Sequence, residues 1–180
     1  LTIPNIITIA RLLAVPVLVY VMLRGSAGAA FWIVLLAGLS DGLDGVIARH
    51  FRQQSRLGAW LDPIADKLLL VTTYVMLGVT GHLPDWLVIL IVSRDVLIVS
   101  GVLLASLMGK PLKISPLFIS KANTAAQVFL AVFVLAMLAF GFEGGAFTSL
   151  LILITAGLTI LSAASYFLLW MRHMNGASQG

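Results

Sequence analysis

The chain has 180 residues, 61% hydrophobic and 10% charged, with a formal net charge of +4 at pH 7 and a mean hydropathy of +1.10. A soluble domain carries about a quarter charged residues, so this composition excludes an ordinary one and points to helices that cross a membrane. The chain has no cysteine, which excludes disulfides, thiolate metal sites and thiol nucleophiles. Most of its basic residues sit in or beside loops without interleaved aromatics, a pattern of membrane orientation rather than nucleic-acid binding.

Six spanning helices are expected, in a single all-α membrane domain over 1–180. The first runs over about 5–23, with Pro4 and Asn5 marking its start. The second covers about 29–50 and the third about 58–80, the latter followed by the turn "TGHLPD". The fourth covers about 85–107. After "MGKPLKISP" comes a fifth over about 117–141, and after "GFEGG" a sixth over about 146–170. No internal repeat, linker or second domain interrupts them. The chain opens on Leu1 rather than methionine, which leaves a preceding targeting segment open.

Loop charges orient the bundle. Arg49, Arg52 and Arg56 flank the second connection, Lys110 and Lys113 the fourth, and Arg172 the tail. The other side shows Arg24 beside Asp85 and Glu143. Both ends and the second connection are therefore expected to face the cytoplasm or its topological equivalent. Trp32, Trp60, Trp86 and Trp170 lie near span ends and read as interfacial anchors.

Four of the seven carboxylates fall in the stretch from Asp41 to Lys67. Asp41 and Asp44 are spaced i, i+3 on the second helix, and Asp62 and Asp66 i, i+4 on the third, so each pair projects from one face. A short connection makes the helices antiparallel, with Asp44 level with Asp62 and Asp41 with Asp66. Asp44 is roughly 12 Å along its helix from Arg52, and Asp62 roughly 9 Å from Arg56. The acids thus begin near headgroup depth in the cytoplasmic leaflet.

Four carboxylates in a dry site need cations, because neighbouring like charges disfavour ionisation. Oxygen donors without Cys or His point to Mg²⁺ or Mn²⁺, as one ion or as two sharing ligands. Gly45 and Ala48 share the face of Asp41 and Asp44, and Gly58 that of Asp62 and Asp66, which leaves room beside the acids. Arg49 is suited to a phosphate oxygen. Pro63 either kinks the third helix or lets it begin with Asp62 as its cap. A packing role for four intramembrane acids, paired with Arg11 or Lys67, is the plainer reading; the spacing and the cost of charge at depth argue against it.

The run Asp41-x2-Asp44-Gly45-x2-Ala48-Arg49-x8-Gly58-x3-Asp62-x3-Asp66 resembles the full signature of the CDP-alcohol phosphatidyltransferases, and the likeness extends over essentially the whole chain. The resemblance implies two divalent cations held by Asp41, Asp44, Asp62 and Asp66, with Asp66 also the general base. It implies a CDP pocket shaped by Gly45, Ala48, Arg49 and Gly58. The reaction implied is attack of an acceptor hydroxyl on the phosphate of CDP-diacylglycerol that bears diacylglycerol, with release of CMP.

"SRD" at Ser93–Asp95, "ISKANTAAQ" at Ile119–Gln127, "TIPNIITIAR" and "SAASY" look most like the eukaryotic-type cardiolipin synthases. That likeness implies phosphatidylglycerol as acceptor. Phosphatidylglycerophosphate synthases, which use glycerol 3-phosphate, usually show Arg-Glu and Lys-x-Lys-Thr where this chain has Arg94-Asp95 and Lys121-Ala-Asn123-Thr124. A dianionic acceptor profits from the extra lysine; a phosphodiester with one charge needs fewer cations. Arg94, Lys121 and Asn123 are the candidates for the acceptor phosphate. Arg94 could instead pair with Asp95, and the basic residues could snorkel to a shallow position. Arg11 is either an internal phosphate ligand or a snorkelling anchor. By analogy with relatives the chain would form a homodimer in a bacterial inner membrane, its site facing the cytoplasm, or in the mitochondrial inner membrane. An ion or proton transporter is the rival class, but transport sites favour the midplane between internal repeats.

Overall fold

A computed structural model describes the backbone over 3–51, 56–107 and 118–176, and side chains over 8–40, 64–101, 104 and 118–171. The described residues form six helices and no strand. They are α1 (Ile3–Leu23), α2 (Ala27–Phe51), α3 (Arg56–Val79), α4 (Asp85–Leu107), α5 (Phe118–Phe140) and α6 (Gly145–Gly176). Each expected element is found, with ends shifted by a few residues and α6 extended past the apolar span to Gly176.

Two helix ends show why the chain turns where it does. Gly25 has φ +71° and Gly81 φ +75°, left-handed values that only glycine adopts without penalty. Beyond each glycine the next N–H reaches back across the last turn. Ser26 N–H donates to the Val21 carbonyl at 2.9 Å, and His82 N–H to that of Leu77 at 2.8 Å. These bonds satisfy carbonyls that the helix end would otherwise orphan, and so stop α1 and α3 sharply.

The chain divides into two compact units, Leu1–Leu83 with Ala131–Gly144, and Pro84–Leu130 with Gly145–Gly180. In the first, α1 packs on both α2 and α3, and α2 touches α3. Leu18, Ala30, Ala65, Leu69, Tyr74 and Leu77 are buried there. Phe31 meets Phe140 edge-on, ring centroids 5.3 Å apart. In the second unit α4 packs on α6, around Leu87, Ile91 and Ala156.

Polarity is distributed in the reverse of a soluble fold. Leu13, Val79, Leu97, Val99, Phe118 and Leu153 are exposed, whereas Thr8, Arg11, Arg94, Asp95, Asn123, Gln127 and Thr159 are buried. Apolar side chains outward and hydrogen-bonding groups inward is the arrangement that lipid as solvent requires. Among the described residues, Phe118–Phe140 and Gly145–Met171 are long and apolar enough to cross a membrane, and Thr8–Leu23 and Ala27–Ser40 are shorter apolar helices.

Candidate active site

The four acids lie on helices that touch. Asp41 and Asp44 are in the C-terminal half of α2, Asp62 and Asp66 in the N-terminal half of α3. Because both helices are continuous there, the i, i+3 and i, i+4 spacings put each pair on one helix face. The side chains of Asp41, Asp44, Gly45, Ala48, Arg49, Gly58 and Asp62 lie outside the described residues. One expectation is corrected: α3 begins at Arg56 and runs helically through Pro63. Asp62 is therefore an interior helical residue, not a cap.

Asp66 is the described member of the set. Its carboxylate Oδ1 accepts from Nη1 of Arg11 on α1 in an ion pair, and the two side chains are 34% and 4% exposed. That burial removes the snorkelling role for Arg11: its guanidinium is held inside the first unit, on the carboxylate. Oxygen donors only, one of them already balanced by a guanidinium, are a set suited to hard divalent cations.

In the second unit Arg94 is the hub. It is 3% exposed, and its Nη1 donates to Asp95 Oδ1 at 2.7 Å. Nη2 donates to Ser120 Oγ at 2.7 Å and to Ser162 Oγ at 2.5 Å, and Nε to Ser162 Oγ at 3.2 Å. The Tyr166 ring lies 5.8 Å from its Cζ, within cation–π range. The Asp95 pairing foreseen as the alternative is thus present, together with ties to α5 and α6.

Of the four residues expected at the acceptor phosphate, Lys121 alone is exposed. Arg11 and Arg94 are engaged as described. Asn123 is fully buried, its Oδ1 accepting from Thr159 Oγ at 2.9 Å, while its Nδ2 has no hydrogen-bond partner. Gln127 Nε2 approaches the same Thr159 hydroxyl at 3.5 Å.

Sequence reasoning passed over Ser120, Gln127, Thr155, Thr159 and Ser162. Their signal was present: hydroxyls at 155, 159 and 162 recur at helical spacing, and of these Thr159 meets Asn123 and Gln127 of α5 while Ser162 meets Arg94 of α4. Removing the hub has a large expected cost. Arg94→Gln takes the arginine from a buried carboxylate and should lower unfolding stability by about 3–5 kcal/mol, read as thermal unfolding in detergent. Arg94→Lys should fall between the two, since one ammonium cannot reproduce the forked contacts.

A cavity of about 220 Å³ lies between α4 and α6, lined by Leu97, Gly101, Leu104, Tyr166, Phe167 and Trp170 among others. An apolar cavity of roughly 150 Å³ already holds a benzene ring, so this one has room for a short stretch of hydrocarbon.

Comparison with known proteins places these features in a family context. A family model described as CDP-alcohol phosphatidyltransferase matches residues 1–171. The cardiolipin synthases (CMP-forming) of Rattus norvegicus and Homo sapiens are each 36% identical over 182 residues, covering 92% of this chain and 60% of the relative. The cardiolipin synthase (CMP-forming) of Streptomyces coelicolor is 41% identical over 111 residues, 57% of this chain and 52% of the relative. This chain therefore spans about three fifths of the length of the rat and human relatives.

Proposed function

This chain belongs to the CDP-alcohol phosphatidyltransferase family, and we propose that it makes cardiolipin, transferring the phosphatidyl group of CDP-diacylglycerol to phosphatidylglycerol and releasing CMP. The whole chain would act as one membrane domain of six spans, its acids opening on the side where Arg49, Arg52 and Arg56 lie. The observation that supports the reading is that α2, which carries Asp41 and Asp44, touches α3, which carries Asp62 and Asp66.

Asp41, Asp44, Asp62 and Asp66 would hold two divalent cations, Mg²⁺ or Mn²⁺. When bound, such ions neutralise charge on the pyrophosphate and on the departing CMP. Gly45, Ala48 and Gly58 leave the nucleotide close access to the helices, and Arg49 pairs with a phosphate oxygen. A hydroxyl of phosphatidylglycerol attacks the phosphorus bearing diacylglycerol. One phosphorus–oxygen bond forms as the bond to CMP breaks, and Asp66 takes the hydroxyl proton.

Lys121, exposed at the start of α5, is the cation assigned to the acceptor phosphodiester. Arg94 acts behind it by fixing Ser120, its neighbour in the chain.

The test is a purified-protein assay with CDP-diacylglycerol and Mn²⁺ or Mg²⁺, offering phosphatidylglycerol and glycerol 3-phosphate separately. CMP release with phosphatidylglycerol, and cardiolipin identified by mass spectrometry, is the expected result. Release with glycerol 3-phosphate alone would reassign the acceptor. No release with either acceptor would overturn the transferase reading.

A further inference from the structure

The ion pair between Arg11 and Asp66 joins a residue of α1 to one of the four acids of the α2–α3 hairpin, 55 positions apart in sequence. Arginine stays protonated under all relevant conditions. It therefore cannot take the acceptor's proton, and it cannot be relieved of its charge when another cation arrives. Its guanidinium is almost wholly buried, whereas the Asp66 carboxylate is one-third exposed. The pair is thus anchored on the arginine side and open on the aspartate side.

The ion pair engages Oδ1 of Asp66, so Oδ2 is the oxygen left to meet anything arriving from outside. A charge-assisted contact on one oxygen keeps that oxygen occupied, so an arriving cation meets the carboxylate through the other.

We infer that Arg11 is a positioning residue for Asp66: it holds Oδ1 back from the divalent cations and so keeps Asp66 from becoming a ligand through both oxygens. This rests on the proposed transferase reading only for the role of Asp66 in turnover; the effect on cation binding does not depend on which acceptor is used. The charge argument has a definite sign. Four carboxylates balance two divalent cations, and Arg11 adds a surplus positive charge inside the same low-dielectric site. Like charges repel there more strongly than in water. Arg11 should therefore weaken cation binding, while leaving the loaded site positive toward a pyrophosphate. A helix tie that merely fastened α1 to α3 would have no such effect on the cations.

The test uses the full chain in nanodiscs. Mn²⁺ binding is read from the loss of the free-ion signal in electron paramagnetic resonance, and turnover is read separately as CMP release. Arg11→Gln is expected to bind Mn²⁺ about tenfold more tightly and to lose kcat by about a hundredfold, with little change in KM for CDP-diacylglycerol. Arg11→Lys keeps the charge but places it on a shorter, compact ammonium. It should hold Mn²⁺ affinity within about threefold of the wild type and still lose kcat, and it serves if the glutamine variant does not fold. Unchanged or weaker Mn²⁺ binding in Arg11→Gln would overturn the inference and leave Arg11 a structural tie. Tighter binding in Arg11→Lys comparable to that of Arg11→Gln would also overturn it, because the charge is retained. If the wild type released no CMP with any acceptor, the transferase reading would fall while the Mn²⁺ comparison still decided the effect of Arg11.

Discussion

Asp66→Asn should reduce CMP release by about a thousandfold or more, the combined loss of a general base and an anionic ligand. The substitution is conservative in shape, and its amide oxygen can still accept from Arg11. Removing the negative charge nevertheless takes the Asp66 carboxylate from a buried guanidinium, so some loss of stability accompanies the loss of turnover. The two are separable. Thermal unfolding in detergent should show a folded variant with a lowered midpoint, and the CMP assay should be run well below it. Retention of more than a tenth of wild-type turnover by a folded Asp66→Asn protein would remove Asp66 from the chemistry.

Chelation should have an equally large effect. EDTA in excess of total divalent cation is expected to bring CMP release to background, and Mn²⁺ or Mg²⁺ added beyond the chelator should restore it. The physical reason is the density of acid. Asp41, Asp44, Asp62 and Asp66 are placed as two pairs on touching helices, and no pyrophosphate would approach four uncompensated carboxylates. Arg11 supplies one compensating charge to this set, too little for the set as a whole. Activity that survived EDTA dialysis would contradict a cation-dependent site.

Much of the architecture was legible because long apolar helices leave a strong mark. Apolar runs bounded by Gly, Pro and charged loops located all six helices, and the glycines at 25 and 81 fall where α1 and α3 stop. The acid pairs were legible for a related reason: charge is so costly in an apolar helix that a regular spacing of four aspartates stands out. The partners of the basic residues were not legible. Whether Arg94 meets Asp95, a phosphate or water depends on which faces of α4, α5 and α6 meet, and helices that are apolar on nearly every side carry little pattern to say so. The hydroxyls at 120, 159 and 162 are individually unremarkable in membrane helices, and they acquire meaning only around Arg94 and Asn123. Pro63 shows the opposite failure. The local rule left a kink or a helix start open there, and the helix running from Arg56 through Pro63 excludes the start.

The pairing of Arg11 with Asp66 also bears on how the protein enters a bilayer. On the proposed topology α1 is made before α3, carrying an arginine in an otherwise apolar stretch, while its aspartate lies 55 positions further along the chain. A lone arginine near the centre of a span adds about 2.5–3.5 kcal/mol to the free energy of insertion. The first helix is thus a hesitant passenger until α3 arrives, and commitment to the membrane becomes a joint event of α1 and α3. The same contact that shapes the mature site would then act during biogenesis as the latch that admits its own first helix.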